Sequence, residues 1–213
     1  MTDILVVDDH ALIRKGLKQL LEDSQDLKVT GEASTGIGAI NMVRTQHFDL
    51  MLLDINLPDK HGIDILKQFK SEQPELKIIV LSMYPEDQYG VRALKAGAMG
   101  YINKQGASDT LITAIRQVLS GKKYISETLA EQLLNNLIGE SQELMHQSLS
   151  NREYQTLCLM ASGKSLSDIS EIMMLSPKTV SVYRSRMLAK MGFSNNAEAI
   201  HYAITHHLVE SQD

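Results

Sequence analysis

A single cysteine, Cys158, stands in a chain of 213 residues, which excludes both an intramolecular disulfide framework and a cysteine-rich zinc site. Long apolar runs are also missing. None approaches the ~18 residues that a membrane span needs, so no membrane attachment is expected. Asp3 lies where a secretory signal would carry its basic segment, which makes the cytoplasm the expected location. Neither an internal repeat nor a low-complexity tract is present. With 43% hydrophobic and 22% charged residues, the composition excludes a disordered or collagen-like chain. Positive charge is in short supply too. Lys and Arg number 21 against 26 Asp and Glu, a net charge of −5 that argues, averaged over the chain, against a nucleic-acid partner.

What is there divides in two. Over the first 120 residues, β-rich runs at Ile4–Val7, Lys28–Glu32, Asp49–Leu53, Lys77–Leu81 and Gly100–Ile102 alternate with helical spacing. Leu12, Ile13, Leu17, Leu20 and Leu21 share one helix face, as do Leu111, Ile112, Ile115, Val118 and Leu119. Near-continuous apolar runs such as Leu50–Leu53 and Ile78–Leu81 suit strands covered on both faces. The expectation is an α/β fold, a doubly wound parallel sheet of five strands, with its ligand site outside the C-terminal strand ends.

From Gly121 the alternation stops. Glu127–Ile138 reads as one amphipathic helix, and the polar stretch Gly139–Ser148 reads as a linker. Beyond Leu149 every segment reads as helix. Ser150 with Glu153 forms a capping-box pattern, Ser176-Pro177 looks like N-cap and N1, and Gly192 stops the helix between them. The expected division is residues 1–121, a connecting segment 122–147 with one helix, and an all-α four-helix unit over 148–213. Charge follows the same boundary. From Ser148 onward six basic residues balance six acidic ones, so the preceding residues carry the whole −5. Within Ser176–Gly192 there are four basic residues and no acid.

Three carboxylates belong to one edge of the expected sheet. Asp8 and Asp9 follow the first strand and Asp54 ends the third. Close carboxylates repel unless a hard cation neutralises them, and Mg²⁺ suits that site. Ser82 at the end of the fourth strand offers a hydroxyl, and Lys104 just past the fifth offers a cation for a phosphoryl oxygen. Any one of these residues alone would be a turn, cap or surface residue. Together, at four strand ends, they describe a phosphoryl-handling site with one aspartate as nucleophile or acceptor.

The strings Val6-Val7-Asp8-Asp9-His10, Leu52-Leu53-Asp54-Ile55-Asn56-Leu57-Pro58 and Gly97-Ala98-Met99-Gly100-Tyr101-Ile102-Asn103-Lys104 resemble the receiver domain of two-component response regulators. The resemblance implies that Asp54 accepts a phosphoryl group from a sensor histidine kinase. It further implies that Asp9, Asp54 and the Asn56 backbone carbonyl hold Mg²⁺, with Asp8 acting through water. Lys104 would pair with the phosphoryl group, and Ser82 and Tyr101 would be the switch residues.

The helix after Ser176-Pro177 carries Val180, Tyr183, Met187 and Met191 as an expected core stripe. Lys178, Ser181, Val182 and Ser185 lie on another face, with Arg184, Arg186 and Lys190 near its edges. With Ser167–Met174 before it, this is a helix-turn-helix pattern, whose second helix enters the DNA major groove. Leu149-Ser150-Asn151-Arg152-Glu153, Ala161-Ser162-Gly163-Lys164-Ser165, Leu175-Ser176-Pro177-Lys178-Thr179-Val180 and Lys190-Met191-Gly192 resemble the C-terminal domain of NarL/FixJ (LuxR-type) regulators. DNA contacts are expected from Lys178, Thr179, Ser181, Val182, Arg184, Ser185, Arg186 and Lys190. Many relatives carry lysines at base-facing positions; Ser181, Val182 and Ser185 imply a readout less driven by charge. Tyr124-Ile125-Ser126 and the helix string together resemble the GacA/UvrY group of global regulators.

The expected function is that of a transcriptional response regulator, in which phosphorylation of Asp54 switches homodimerisation and promoter DNA binding. Enzymatic activity would be limited to self-dephosphorylation. A Mg²⁺-dependent phosphohydrolase with Asp54 as nucleophile is the alternative from another class. Such enzymes usually carry a second aspartate two residues on, and Asn56 stands there. A constitutive DNA-binding dimer with an inert receiver is the third reading, at odds with an intact Asp8, Asp9, Asp54 and Lys104. Gly36 and Gly38 match no phosphate-loop pattern, Cys158 reads as a core residue, and His206-His207 as a surface helix end.

Overall fold

The computed structural model describes residues 1–138 and 144–209, without the side chains of 107–109 and 135–138. The expected linker residues 139–143 thus lie outside the described residues. Contacts divide the chain into two compact units, Met1–Asn135 and Asn136–Asp213.

The first unit alternates strand and helix throughout. Its elements are β1 (Thr2–Val7), α1 (Ala11–Glu22), β2 (Leu27–Ala33), α2 (Gly36–Thr45), β3 (Leu50–Asp54), α3 (Gly62–Glu72), β4 (Lys77–Ser82), α4 (Glu86–Lys95), β5 (Gly100–Asn103) and α5 (Ala107–Leu119). The strands form one sheet in the order β2-β1-β3-β4-β5, every pair parallel. Burial follows position in that order. Edge strand β2 alternates buried and exposed residues, whereas all five residues of central β3 are buried. A strand covered by helices on both faces must be apolar on both, which is why its sequence reads as an unbroken run. One core layer joins Ile4, Val6, Leu50, Leu52, Ile79 and Leu81 of the sheet to Leu17 and Leu21 of α1 and Leu111, Ile115 and Val118 of α5. The strand order reverses direction between β1 and β3, and the crevice outside their C-terminal ends is where such a fold exposes a ligand site.

A further helix, α6 (Glu127–Ile138), follows α5, and its residues through Asn135 belong with the first unit. The second unit starts with a 3₁₀ turn at Met145–Ser148. It continues with α7 (Asn151–Ala161), α8 (Leu166–Ile172), α9 (Pro177–Met191) and α10 (Asn196–Thr205). Each of the four helices has a side-chain N-cap: Ser150, Ser165, Ser176 and Asn195. Two are full capping boxes, Ser150 with Glu153 and Ser165 with Asp168. Helix α9 ends at Gly192, whose φ of 67° is the left-handed conformation that glycine takes without strain. Buried Leu157, Ile169, Met173, Val180, Met187, Met191, Ala199 and Ala203 make the core, with Cys158 beside them. Helix α7 is buried along Asn151–Met160, so its polar residues need internal partners. The Arg152 guanidinium donates to Gln155 Oε1 (3.0 Å), and the Thr156 hydroxyl donates to the Arg152 carbonyl (2.8 Å). Among the described residues, no helix is long and apolar enough to cross a membrane.

Candidate functional site

Sheet register brings the strand-end side chains together. Val7 pairs with Leu53 and Asp54 with Leu81, so Asp8, at the end of β1, lies beside Asp54 of β3. Ser82 pairs with Asn103, one residue before Lys104. Asp8, Asp54 and Ser82 are all buried. The Lys104 ammonium reaches Asp8 Oδ2 at 2.6 Å and Asp54 Oδ2 at 2.7 Å. Burial pulls Lys104 down, but the attraction of Asp54 and Asp8 outweighs it and holds the ammonium above its ordinary pKa. Asp54 moves up to about 6, because burial outweighs its Lys104 partner and the Asp8 charge adds to the rise. One ammonium shared between two carboxylates leaves the site short of positive charge.

The loop after β3 is built to fold back on Asp54. The Gly62 amide donates to the Ile55 carbonyl (2.7 Å), and Asn56 and His61 form an antiparallel bridge. A Cβ at position 62 would overlap the Asp54 carbonyl oxygen and the Ile55 backbone, so this close approach requires glycine. The Asn56 amide in turn donates to Asp54 Oδ1 at 3.3 Å. Backbone and side chain of the buried aspartate are thereby both fixed.

His10 is a site residue for which the sequence suggested no role. It is the N-cap residue of α1, and its amide donates to Asp8 Oδ1 at 2.9 Å. Its Nδ1 lies 2.8 Å from Asp9 Oδ1 and 3.3 Å from Asp8 Oδ1. One ligand atom from each of Asp8, Asp9, His10 and Asp54 falls within 4.8 Å of the others, the one such group of three or more among the described residues. A histidine directly after an Asp-Asp pair was the available signal. Three clustered carboxylates, two of them buried with a single lysine, form the hard oxygen set and excess negative charge that suit a divalent cation of the Mg²⁺ type.

Ser82 and Tyr101 meet at the backbone of Tyr84. The Tyr84 amide donates to Ser82 Oγ (3.1 Å), and the Tyr101 hydroxyl donates to the Tyr84 carbonyl (2.9 Å). Tyr101 is 1% exposed, its ring turned into the protein. Burial raises its pKa far above the usual phenol range, against the opposing bond to Ser82. The Tyr84 ring lies 5.0 Å from that of Tyr89 on α4.

In the second unit α8 and α9 form the helix-turn-helix. Met174, with φ 53°, turns the chain after α8, and the Leu175 amide donates to the Ser170 carbonyl (2.9 Å). Ser176 Oγ accepts from the Thr179 amide at 3.1 Å, and Pro177 fills N1. Val180, Met187 and Met191 of the expected stripe are buried and Tyr183 is half-buried. Lys178, Val182, Ser185 and Arg186 are exposed, and Thr179, Ser181 and Arg184 partly so. The Ser185 hydroxyl donates back to the Ser181 carbonyl (3.0 Å), which leaves its lone pairs facing outward. Lys190 stands apart from this set: its ammonium is 2.6 Å from Glu153 Oε2 of α7. Burial raises Glu153, but the bonds from Lys190 and Ser150 outweigh it and hold the carboxyl below its ordinary range. His206 packs its ring on Tyr202 at 4.1 Å, and Tyr202 shares a hydrogen bond with His146 (3.1 Å).

Comparison with known proteins agrees with both halves. Residues 4–116 match the response regulator receiver domain, and residues 147–203 match the bacterial regulatory proteins of the luxR family. The chain belongs to the two-component response regulators that join a receiver to a luxR-type helix-turn-helix and regulate transcription. It is 37% identical to the response regulator UvrY of Escherichia coli K12, over 100% of this chain and 98% of UvrY. With the response regulator GacA of Pseudomonas aeruginosa PAO1 it shares 34% identity over 99% of each chain. Among solved structures it is similar to RcsB of Salmonella enterica serovar Typhimurium bound to promoter P1flhDC with the phosphomimetic BeF₃⁻. That similarity has a TM-score of 0.64 at 25% identity, over 96% of this chain and 98% of RcsB. A structure of two RcsB dimers bound to two parallel DNAs scores 0.60 at 26% identity over the same shares.

Proposed function

We propose that Asp54 accepts a phosphoryl group from the phosphohistidine of a sensor kinase and that this modification raises the affinity of a homodimer for promoter DNA in the cytoplasm. The observation that carries the reading is the buried Asp54 carboxylate, held by Lys104 at 2.7 Å beside a second buried aspartate at the strand ends. An Asp54 oxygen attacks phosphorus, the P–N bond breaks, and the imidazole leaves with the electron pair. Lys104 then pairs with a phosphoryl oxygen. Ser82 offers its hydroxyl to another, and Tyr101 follows through the Tyr84 carbonyl that it shares with that strand end. Asp9, Asp54 and the Asn56 carbonyl would hold Mg²⁺, with Asp8 acting through water, and the ion would supply positive charge against the phosphoryl oxygens. The chain turns over no external substrate beyond losing its own phosphoryl group.

In this reading residues 1–121 are the receiver, 122–147 the connection and 148–213 the DNA-binding domain. Helix α9 lies in the major groove, with Lys178, Arg184 and Arg186 on phosphates and Ser181, Val182 and Ser185 toward base edges. Thr179 adds a hydroxyl at the helix N-terminus. Lys190 acts through the fold, because Glu153 holds its ammonium. The experiment is paired. The wild-type chain takes up label from acetyl phosphate with a matching rise in DNA affinity, and Asp54→Asn loses both. Retention of label and of the affinity rise by Asp54→Asn would end the assignment.

A further inference from the structure

Past α5 the chain returns to its own receiver. The Tyr124 amide donates to the Met99 carbonyl (2.8 Å), and Tyr124 forms a parallel bridge with Gly100. It thereby covers the start of β5, an edge strand of the sheet. A Cβ at Gly100 would sit 3.2 Å from Tyr124 Cβ and carbonyl oxygen, tighter than ordinary contact. Two residues on, Ser126 caps α6. Its Oγ accepts from the Leu129 amide (3.1 Å) and donates to Glu86 Oε2 on α4 (2.7 Å). Leu129 is fully buried, and a Cβ at Gly90 of α4 would meet its Cδ1 at 2.8 Å. Glu86 and Gly90, four residues apart, share one face of α4. The adjacent residue Tyr89 packs on Tyr84, the residue that joins Ser82 to Tyr101.

We propose that Tyr124–Leu129 is a latch seated on α4 and β5 of its own receiver, and that phosphorylation of Asp54 unseats it. The proposal rests on the phosphoacceptor reading of Asp54 given above. Ser82 hydrogen-bonds the Tyr84 amide; once it bonds a phosphoryl oxygen, the strand end carrying Tyr84 shifts and Tyr89 shifts with it. Leu129 sits where only glycine leaves room, so a displacement of α4 by a fraction of an ångström removes its fit. The polar half of the latch is weakly held. Glu86 is half-buried, burial raises its pKa against the Ser126 bond, and its Oε1 has no hydrogen-bond partner. Release uncovers the β5 edge and frees the helix leading to the DNA-binding half, so one local event reaches both.

Coupling of this kind is reciprocal: what phosphate does to the latch, the latch does to phosphate affinity. The test uses the full chain with Mg²⁺ and beryllofluoride, with occupancy at Asp54 followed by ¹⁹F NMR and amide exchange by mass spectrometry. The expected result is faster exchange at Tyr124 and Leu129 on occupancy. In addition, Ser126→Ala should bind beryllofluoride more tightly, by about tenfold if the hydroxyl carries one charge-assisted bond. Unchanged exchange at these amides in the occupied protein overturns the latch, as does an unchanged affinity in Ser126→Ala. Absence of any ¹⁹F signal from bound beryllofluoride instead overturns the phosphoacceptor reading, and the release step falls with it.

Discussion

Lys104 contacts Asp8 and Asp54 at once, at 2.6 and 2.7 Å, and its single charge cannot neutralise both. Asp54 consequently stands at about 6 rather than 3.8. A carboxyl whose pKa is raised by folding binds its proton more tightly in the native state. Its contribution therefore favours folding at low pH and is lost as pH rises from about 4 through about 6. Asp54→Asn, a neutral side chain of the same shape, should stabilise the protein by about 3 kcal/mol at pH 7.5 and by little at pH 4. Urea unfolding at the two pH values measures this without added metal. A gain that is the same at both would show that charge burial is not its source. Asp8, Asp54 and Lys104 were legible in the sequence because their chemical types recur at strand ends, and strand ends can be read from hydrophobic runs. His10, Gly62 and Tyr84 were not. Gly62 matters through a backbone oxygen of Asp54, and Tyr84 through its own amide and carbonyl. A glycine or a tyrosine in the sequence does not name the backbone group it will meet or offer, and a histidine does not name its carboxylate.

Between elements, Glu153 makes two kinds of tie. Its carboxylate accepts from the Ser150 amide at 2.8 Å, closing the capping box of α7, and takes the Lys190 ammonium of α9 at 2.6 Å. The box was legible from the Ser-x-x-Glu spacing. The bridge was not, because helical periodicity places Lys190 on an edge of α9 without naming a partner 37 residues earlier. Separate substitutions divide the two ties. Glu153→Ala loses cap and bridge and should cost about 1 to 2 kcal/mol at pH 7. Glu153→Gln keeps an acceptor for the Ser150 amide and should cost less than half as much. Because Glu153 is held below its ordinary pKa, its charged-state stabilisation is present above 4.5 and lost as pH falls through the lower folded value. The deficit of Glu153→Gln should therefore shrink in acid while that of Glu153→Ala persists in part. Absence of any deficit in Glu153→Gln at pH 7 would show that the charge contributes nothing, and a deficit equal to that of Glu153→Ala would show that the neutral cap does not.

For the whole molecule, the net charge of −5 conceals its distribution: residues before Ser148 carry all of it, while Ser176–Gly192 holds four basic residues and no acid. Net charge predicts binding only when averaged over the surface that touches the partner, and here the helix decides. The four charges are nevertheless unequal, since the ammonium of Lys190 is held by a buried carboxylate, and the proposed reading gives the phosphates to Lys178, Arg184 and Arg186. Each neutralised phosphate releases a counterion and contributes about −0.9 to the slope of log affinity against log salt. Two protomers on two half-sites should thus give a slope of about −5, rather than the roughly −7 expected if Lys190 took part. Fluorescence anisotropy on a mixed-sequence duplex long enough for two half-sites measures it, because this term is independent of sequence. Arg186→Gln should reduce the slope by about 2 units per dimer, whereas Lys190→Gln should leave the slope unchanged and lower the unfolding midpoint. If Lys190→Gln flattens the slope as much as Arg186→Gln does, the lysine leaves Glu153 on binding, and the acidic residue under α9 becomes a competitor of DNA for its charge.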